Sequence, residues 1–341
     1  MAAAVVPAVE ARRKRGAAVI SVRAHGAKGD GKRDDTEAFQ KAIDALPAAG
    51  GTVAVPAGVY IIDPVRSVHL RDRMRLSLDP QAQLVAKPNA AKRAYVLTVH
   101  GKSDVEVSGG RILGDRDLHR GQGGEWGHGI MIRGAERVTV SSMHISRCWG
   151  DGISIGGISG PPSIPSRDVV IVDVTCDGNR RQGLTIGRSR QVRVLRSTFT
   201  NTGGTLPACG IDVEPDATDI ARTVLIDQCL VSGNEGAGIQ LYHRVVDATI
   251  RRCTIRNNRG AGIFVVGARG SLIVDNRIVG NGQRGLAVRG KSSDLEARGN
   301  RFSKHGRPLA GGAGSGSKVR RHVDIAESTS GIRLAPDNVF E

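Results

Sequence analysis

The sequence predicts an all-β solenoid closed at its N-terminal end by one short helix. Three observations predict it. One phrase recurs seven times: Gly129-Ile130-Met131-Ile132, Gly152-Ile153-Ser154-Ile155, Gly183-Leu184-Thr185-Ile186, Gly210-Ile211-Asp212-Val213, Gly238-Ile239-Gln240-Leu241, Gly262-Ile263-Phe264-Val265 and Gly285-Leu286-Ala287-Val288. A branched apolar residue on each side of a variable one is the period-two pattern of a strand. Repetition every 23 residues (Gly129 to Gly152) to 31 residues (Gly152 to Gly183) marks repeats that bury their apolar faces only against their neighbours. The composition agrees: 46 glycines and 39% hydrophobic residues with only 3% aromatics suit a narrow aliphatic core rather than a helical bundle. Finally, an asparagine stands four residues before four of the repeat glycines, at Asn179, Asn234, Asn258 and Asn281. Asparagine tolerates the left-handed backbone of a tight turn and can bond to the next asparagine along the stack.

The elements follow in order. Residues 1–18 are a tail or a signal-peptide remnant: Ala2 to Val9 is apolar and Val9-Glu10-Ala11 resembles a small-residue cleavage site, but no basic segment precedes it. The first alternative leaves localisation open; the second implies a secreted or periplasmic protein. A single domain is expected from 19 to 341. Its cap segment, 19–62, begins with a strand at Val19–Val22 and the glycine-rich loop Ala24-His25-Gly26-Ala27-Lys28-Gly29-Asp30-Gly31. That loop lacks the Lys-Ser/Thr ending of a phosphate-binding loop and the spacing of a dinucleotide fingerprint. Asp34-Asp35-Thr36-Glu37 starts a helix, with acidic residues at the favourable end of its dipole. Phe39, Ala42, Ile43 and Leu46 share one face, and Gly50-Gly51 ends the helix. Strands follow at Thr52–Val55 and Val59–Ile62. The helix is expected to cover the open end of the solenoid core. The clearest repeats occupy 125–305, a Gly/Ser-rich loop 306–318, and a last irregular turn the remainder.

The segment from Ala24 to Gly31, followed by Asp34-Asp35-Thr36, the helix, and Gly50-Gly51-Thr52-Val53-Ala54-Val55-Pro56-Ala57-Gly58-Val59-Tyr60, resembles the opening of the pectin-lyase-like right-handed parallel β-helix superfamily. Polygalacturonase-like hydrolases, polysaccharide lyases, mannuronan C5-epimerases and phage tailspikes share that fold. The resemblance implies a right-handed parallel β-helix with a groove on one sheet, and it is silent on which reaction the groove performs.

Several classes are excluded or disfavoured. No apolar run approaches the roughly 18 residues of a membrane span. Five cysteines, Cys148, Cys176, Cys209, Cys229 and Cys253, are odd in number and lack metal-type spacing, so a disulfide framework is not expected. Cys229 and Cys253 each lie nine residues before a repeat glycine and should occupy equivalent buried places. The net charge of +16 attracts polyanions. The scarcity of aromatic stacking platforms argues against nucleic acid and leaves an anionic polysaccharide or a merely solvated basic surface. Nothing in the sequence indicates an oligomeric state.

Stacked as columns, the variable positions read Met131, Ser154, Thr185, Asp212, Gln240, Phe264, Ala287. Residues two positions to either side should face the same way. Polar residues concentrate between the second and fifth repeats. Asp212 and Glu214 should project to one face about 6.5–7 Å apart, where adjacent like charges cost stability and have low strand propensity. Asp151, two repeats earlier, falls on the order of 10 Å away along the stack, although an aspartate between two glycines also suits a turn. An inverting glycosidase needs two carboxyls about 6.5–9.5 Å apart, and close carboxylates raise one another's pKa. Asp151, Asp212 and Glu214 are therefore the candidate catalytic residues for hydrolysis.

Lyase or epimerase chemistry at the same place is the alternative, with Arg181, Arg188, His243 or Arg244 taking a proton. Calcium, held by Asp212, Glu214 and Asp216, would be its cofactor; hydrolysis needs none. A non-catalytic glycan-binding or tailspike-like module remains a third reading. Trp149, Gln182, Arg188, Gln240, Tyr242, His243 and Arg244 are the candidate substrate-binding residues, Trp149 as a sugar-stacking platform or a cover for the sheet edge. Gly127-His128-Gly129 is similar to the Gly-His-Gly of polygalacturonases but precedes the Asp151 turn instead of following it. Gly210-Ile211-Asp212-Val213-Glu214-Pro215 is similar to the epimerase motif but has no histidine.

Overall fold

The computed structural model describes residues 15–306 and 322–341; most of the expected tail and Gly/Ser-rich loop lies outside them. Among the described residues, parallel strands form two sheets of twelve strands and one of ten. Each turn of the coil visits the three sheets in succession. One helix, Thr36–Asp44, stands near the N-terminus. This is the architecture expected of a right-handed parallel β-helix.

The seven phrases form the ten-stranded sheet, in the register that the sequence columns give. Met131 pairs with Ser154, Ser154 with Thr185, Thr185 with Asp212, Asp212 with Gln240, Gln240 with Phe264 and Phe264 with Ala287. The flanking apolar residues, from Ile130, Ile153, Leu184 and Ile211 to Leu286, are fully buried. The repeat glycine is required by close approach rather than by backbone angle. A Cβ on Gly152 would lie 2.7 Å from the carbonyl oxygen of Gly183, and one on Gly183 would lie 2.5 Å from that of Gly210.

The helix closes the N-terminal end as expected, with Phe39, Ala42 and Ile43 buried and Phe39 edge-on to Tyr60 at 5.3 Å. Asp35 does not cap it by a side-chain bond; its carboxylate accepts the amides of Lys28 and Gly29 at 2.8 and 3.0 Å, so it secures the glycine-rich loop.

The asparagine ladder exists with two corrections. Asn234 donates to Asn258 at 2.8 Å and Asn258 to Asn281 at 2.9 Å. Asn179 stands apart, because the next turn places Thr202 in the column and Thr202 bonds to Asn234 instead. The left-handed residues are those before the ladder, Gly178, Gly233, Asn257 and Gly280; the ladder asparagines serve the hydrogen bonds alone. A second ladder, Asn276, Asn300 and Asn338, continues the column of Cys229 and Cys253. All five cysteines are buried and free.

Candidate functional site

The outer face of the ten-stranded sheet carries a cleft of ≈740 Å³, within the size range of ligand sites. Its walls include Arg93, Tyr95, Glu125, Trp126, Arg133 and Glu214. Asp212 stands between Thr185, which lines the cleft, and Gln240 in the same sheet, and is wholly buried. Both carboxylate oxygens are held: the Gln182 amide donates to Oδ2 at 2.8 Å and the Gln240 amide to Oδ1 at 3.0 Å. Gln182 is itself fixed, because its Oε1 accepts the Cys209 amide at 2.8 Å.

Burial pushes the Asp212 carboxyl well above the usual carboxylate range; the charge of Glu214 and a hydrogen bond between the two side chains push the same way. The Gln240 hydrogen bond and the charge of Arg181 oppose this, but desolvation of a buried carboxylate is the larger effect. The buried carboxyl is thus pushed toward its protonated form beside Glu214, which lines the cleft.

Asp151 does not reach the cleft. It is wholly buried beneath Arg181, whose Nη1 lies 3.3 Å from both carboxylate oxygens and whose Nε lies 3.2 Å from Glu125. Its own amide donates to His128 Nδ1 at 3.0 Å. That bond makes Nδ1 an acceptor, and burial pulls His128 down to about 4, so the imidazole is neutral. The His128 ring stacks on Tyr95 at 5.4 Å. Asp151 is therefore the anchor of a buried brace. The expectation that it shares the catalytic work with Asp212 and Glu214 is corrected on the ground of access.

Trp149 is corrected for a similar reason. His119 stacks on its ring at 4.0 Å, and the Arg180 guanidinium lies 3.7 Å from its centroid. Two groups that close must occupy opposite faces, so neither face is free for a sugar. The tryptophan of the cleft is Trp126, which carries Arg93 at 4.4 Å on its ring.

Gln182 and Gln240 hold Asp212 rather than open space. Arg188 and Arg244 line the cleft but serve its wall. Arg188 pairs with Asp219 and donates to the Ile158 carbonyl at 2.8 Å. Arg244 donates to the carbonyls of Pro215 and Asp216 at 2.9 and 3.2 Å. Together they tie down the loop that follows Glu214. Tyr242 and His243 stack edge-on at 4.3 Å and do not line the cleft. A calcium site at Asp212, Glu214 and Asp216 does not fit: Asp212 is buried with its oxygens occupied, and Asp216 is exposed. Among the described residues no group of three or more His, Cys, Asp or Glu side chains is placed to hold a metal ion.

The residue that the columns undervalued is Arg133. Its one side-chain hydrogen bond among the described residues runs to Ser154 Oγ at 3.4 Å, and it has no carboxylate partner there. Burial holds its pKa below the usual arginine value. A half-buried cation with no carboxylate in ion-pair contact, and only the more distant charges of Asp151 and Asp216 to offset it, is costly and is a candidate for pairing with an anion. The sequence signal was present, since Arg133 follows the first phrase at an outward position. Its lack of a carboxylate in direct contact is a matter of packing alone.

The chain matches the family model described as right handed beta helix region over residues 89–220 and 216–302. It belongs to that family. Residues 19–102 also match the model described as rhamnogalacturonase A/epimerase, pectate lyase-like, which takes in the cap segment of this β-helix. Among curated relatives, YclG of Bacillus subtilis (strain 168) is 28% identical over 220 residues, covering 58% of this chain and 38% of YclG. YorA, derived from the SPbeta prophage of the same strain, is 26% identical over 279 residues, 74% of this chain and 44% of YorA. The chain thus spans less than half the length of either. Mannuronan C5-epimerase AlgE1 of Azotobacter vinelandii is 33% identical over 150 residues, 40% of this chain and 11% of the epimerase. Among solved structures, the A-module of the Azotobacter vinelandii epimerase AlgE4 superposes with a TM-score of 0.67 at 18% identity, covering 95% of this β-helix and 100% of the module. ORF18 of Geobacillus virus E2 gives 0.73 at 15%, covering 95% and 62%. These two likenesses establish the fold.

Among the described residues no helix is long and apolar enough to cross a membrane.

Proposed function

We propose that this β-helix cleaves glycosidic bonds of an acidic, uronate-containing polysaccharide, with Glu214 as the carboxyl that exchanges protons with the substrate. The observation that supports this most is the Asp212–Glu214 pair. One member is sealed, with burial and its neighbour pushing it toward the protonated form; the other lines the cleft and interacts with it. Such a pair can deliver a proton to the leaving glycosidic oxygen while water bonds to the anomeric carbon, and recover a proton from that water. Asp212 does not touch substrate, so it is a positioning residue and proton reserve. Arg133 meets a substrate carboxylate, and Trp126 and Tyr95 supply apolar wall. Mannuronan epimerases and an exo-poly-alpha-D-galacturonosidase of Dickeya chrysanthemi among the relatives support the substrate class. A polymer of this kind would be met outside the cytoplasm, as a secreted or periplasmic protein meets it.

One observation favours a second reading, β-elimination or C5 epimerisation at the same cleft. Neutralising a uronate carboxylate makes the adjacent C5 proton easier to remove, and Arg133 is free to do so. Incubation with polygalacturonate, alginate and neutral dextran separates the readings. Hydrolysis yields new reducing ends without ultraviolet absorbance; elimination yields an unsaturated, absorbing product. Binding of a uronate polymer with no product of either kind, and no epimerisation, would sink the enzymatic reading and leave a glycan-binding module.

A further inference from the structure

Arginines on the outside of the neighbouring twelve-stranded sheet fall into two groups. Most are neutralised by an aspartate one turn earlier: Arg137 by Asp104 at 2.7 Å, Arg193 by Asp168 and Arg196 by Asp173 at 2.9 Å, and Arg251 and Arg252 by Asp227. One column is different. Arg167, Arg190 and Arg222 stand in direct register on three consecutive turns. After Val246 the column resumes at Arg269. All four arginines are exposed. Arg222 has a distant partner in Asp247 at 3.5 Å; Arg167, Arg190 and Arg269 have none among the described residues. Like charges directly opposed across strands are destabilising, and here they repeat at the strand spacing of about 4.8 Å.

We propose that the Arg167–Arg190–Arg222–Arg269 column is a second polyanion-binding surface, which takes the part of an acidic polysaccharide chain that extends beyond the cleft. Its position supports this. The wall of the cleft ends at Gly187 and Arg188 on one turn and at Arg244 on another. Two residues later in the chain, on the first residues of the next strand of the coil, stand Arg190 and, in the same column, Val246. A polymer leaving the cleft over this rim meets three cations on consecutive turns and a fourth after one gap. The strands that carry the column, from Ser166–Val172 to Leu272–Val274, contain no aromatic residue. The surface therefore lacks the stacking platforms that single-stranded nucleic acid uses, and it favours a sugar polymer with charged groups. This inference rests on the acidic-polysaccharide reading of the cleft.

The test uses the full chain and the triple variant Arg167→Ser/Arg190→Ser/Arg222→Ser. These side chains are exposed, so the fold should hold, which circular dichroism and the melting temperature check. Binding of long polygalacturonate and long alginate is measured against salt, beside short oligomers of each and a DNA duplex. The expected result is roughly a tenfold or greater loss of affinity for the long polymer and a log–log salt slope shallower by about 2, with short oligomers bound and processed as before. Restoring charge with Arg→Lys at the three positions should recover most of the affinity. Unchanged affinity and slope for the long polymer would overturn the column while leaving the cleft intact. Loss confined to DNA would overturn it in favour of a nucleic-acid surface. If neither polymer is bound by the native protein at any length, the reading of the cleft falls and the column falls with it.

Discussion

Two stacks of polar side chains run along this β-helix, and they behave oppositely. In the interior, Asn234, Asn258 and Asn281 repeat one residue type. Asn234 and Asn258 each donate to the side-chain carbonyl of the next, and all three donate to a backbone carbonyl. On the sheet face, Thr185, Asp212 and Gln240 are all different, and the ionisable member sits in the middle, fully buried. A repeating column settles its own hydrogen bonds with neutral groups, so it can be extended turn after turn. A column of unlike residues holds a carboxyl that cannot ionise cheaply and passes that difficulty to Glu214 in the cleft. The first arrangement contributes stability; the second costs some, as is usual where chemistry is done.

The contrast can be broken most severely at Glu214. Glu214→Gln keeps the shape and removes the exchangeable proton. Turnover on a uronate polymer should fall by roughly 10²–10⁴, while the melting temperature and polymer affinity change little; near-native turnover would remove Glu214 from the chemistry. The ladder should respond the other way. Asn258→Ala removes the acceptor of the Asn234 backbone and side-chain amides and the side-chain donor to Asn281 Oδ1 and the Val231 carbonyl, at a cost of about 2–4 kcal/mol by denaturant unfolding, with activity per folded molecule unchanged. Arg133→Gln should raise KM for a uronate oligomer about tenfold or more and leave stability level or slightly higher, because an unpaired cation is removed. An equal loss on a neutral glycan would show that Arg133 is part of the wall.

Much of this was legible in the sequence, and the reason is repetition. The phrase Gly-apolar-x-apolar fixes register one residue at a time, because a one-residue slip turns every buried side chain outward. The seven-member column was therefore readable without coordinates, as was the helix face of Phe39, Ala42 and Ile43. What the columns could not supply was depth. Asp151, Asp212 and Glu214 looked alike as carboxyls on one face; only packing puts Arg181 over Asp151, two amides on Asp212 and open cleft before Glu214. Trp149 and Trp126 each precede a repeat phrase in the sequence, which does not show what lies on their rings. Arg133, Arg188 and Arg244 are likewise indistinguishable until their partners are known. Local pattern determines where a side chain points, whereas pairing between distant turns determines whether it is free.

The finest test concerns the proton on Asp212. Burial and the neighbouring Glu214 raise its pKa in the folded chain, whereas in the unfolded chain it ionises in the ordinary carboxylate range. Below that range both states hold the proton and Asp212 costs nothing. Above it the unfolded chain has lost the proton and the folded chain has kept it, so stability falls as pH rises, by up to about 1.4 kcal/mol per pH unit. The fall continues until the raised pKa is reached. Asp212→Asn cannot titrate; Gln240 can turn its carbonyl toward the new amide, although Gln182 is held by Cys209. The difference in melting temperature between native protein and variant should therefore move in the variant's favour from acid to neutral pH, while titrating groups that do not interact with Asp212 cancel. A difference that stays constant across that span would mean that Asp212 is ionised in the fold, stabilised by Arg181, and that the two stacks differ in composition but not in charge.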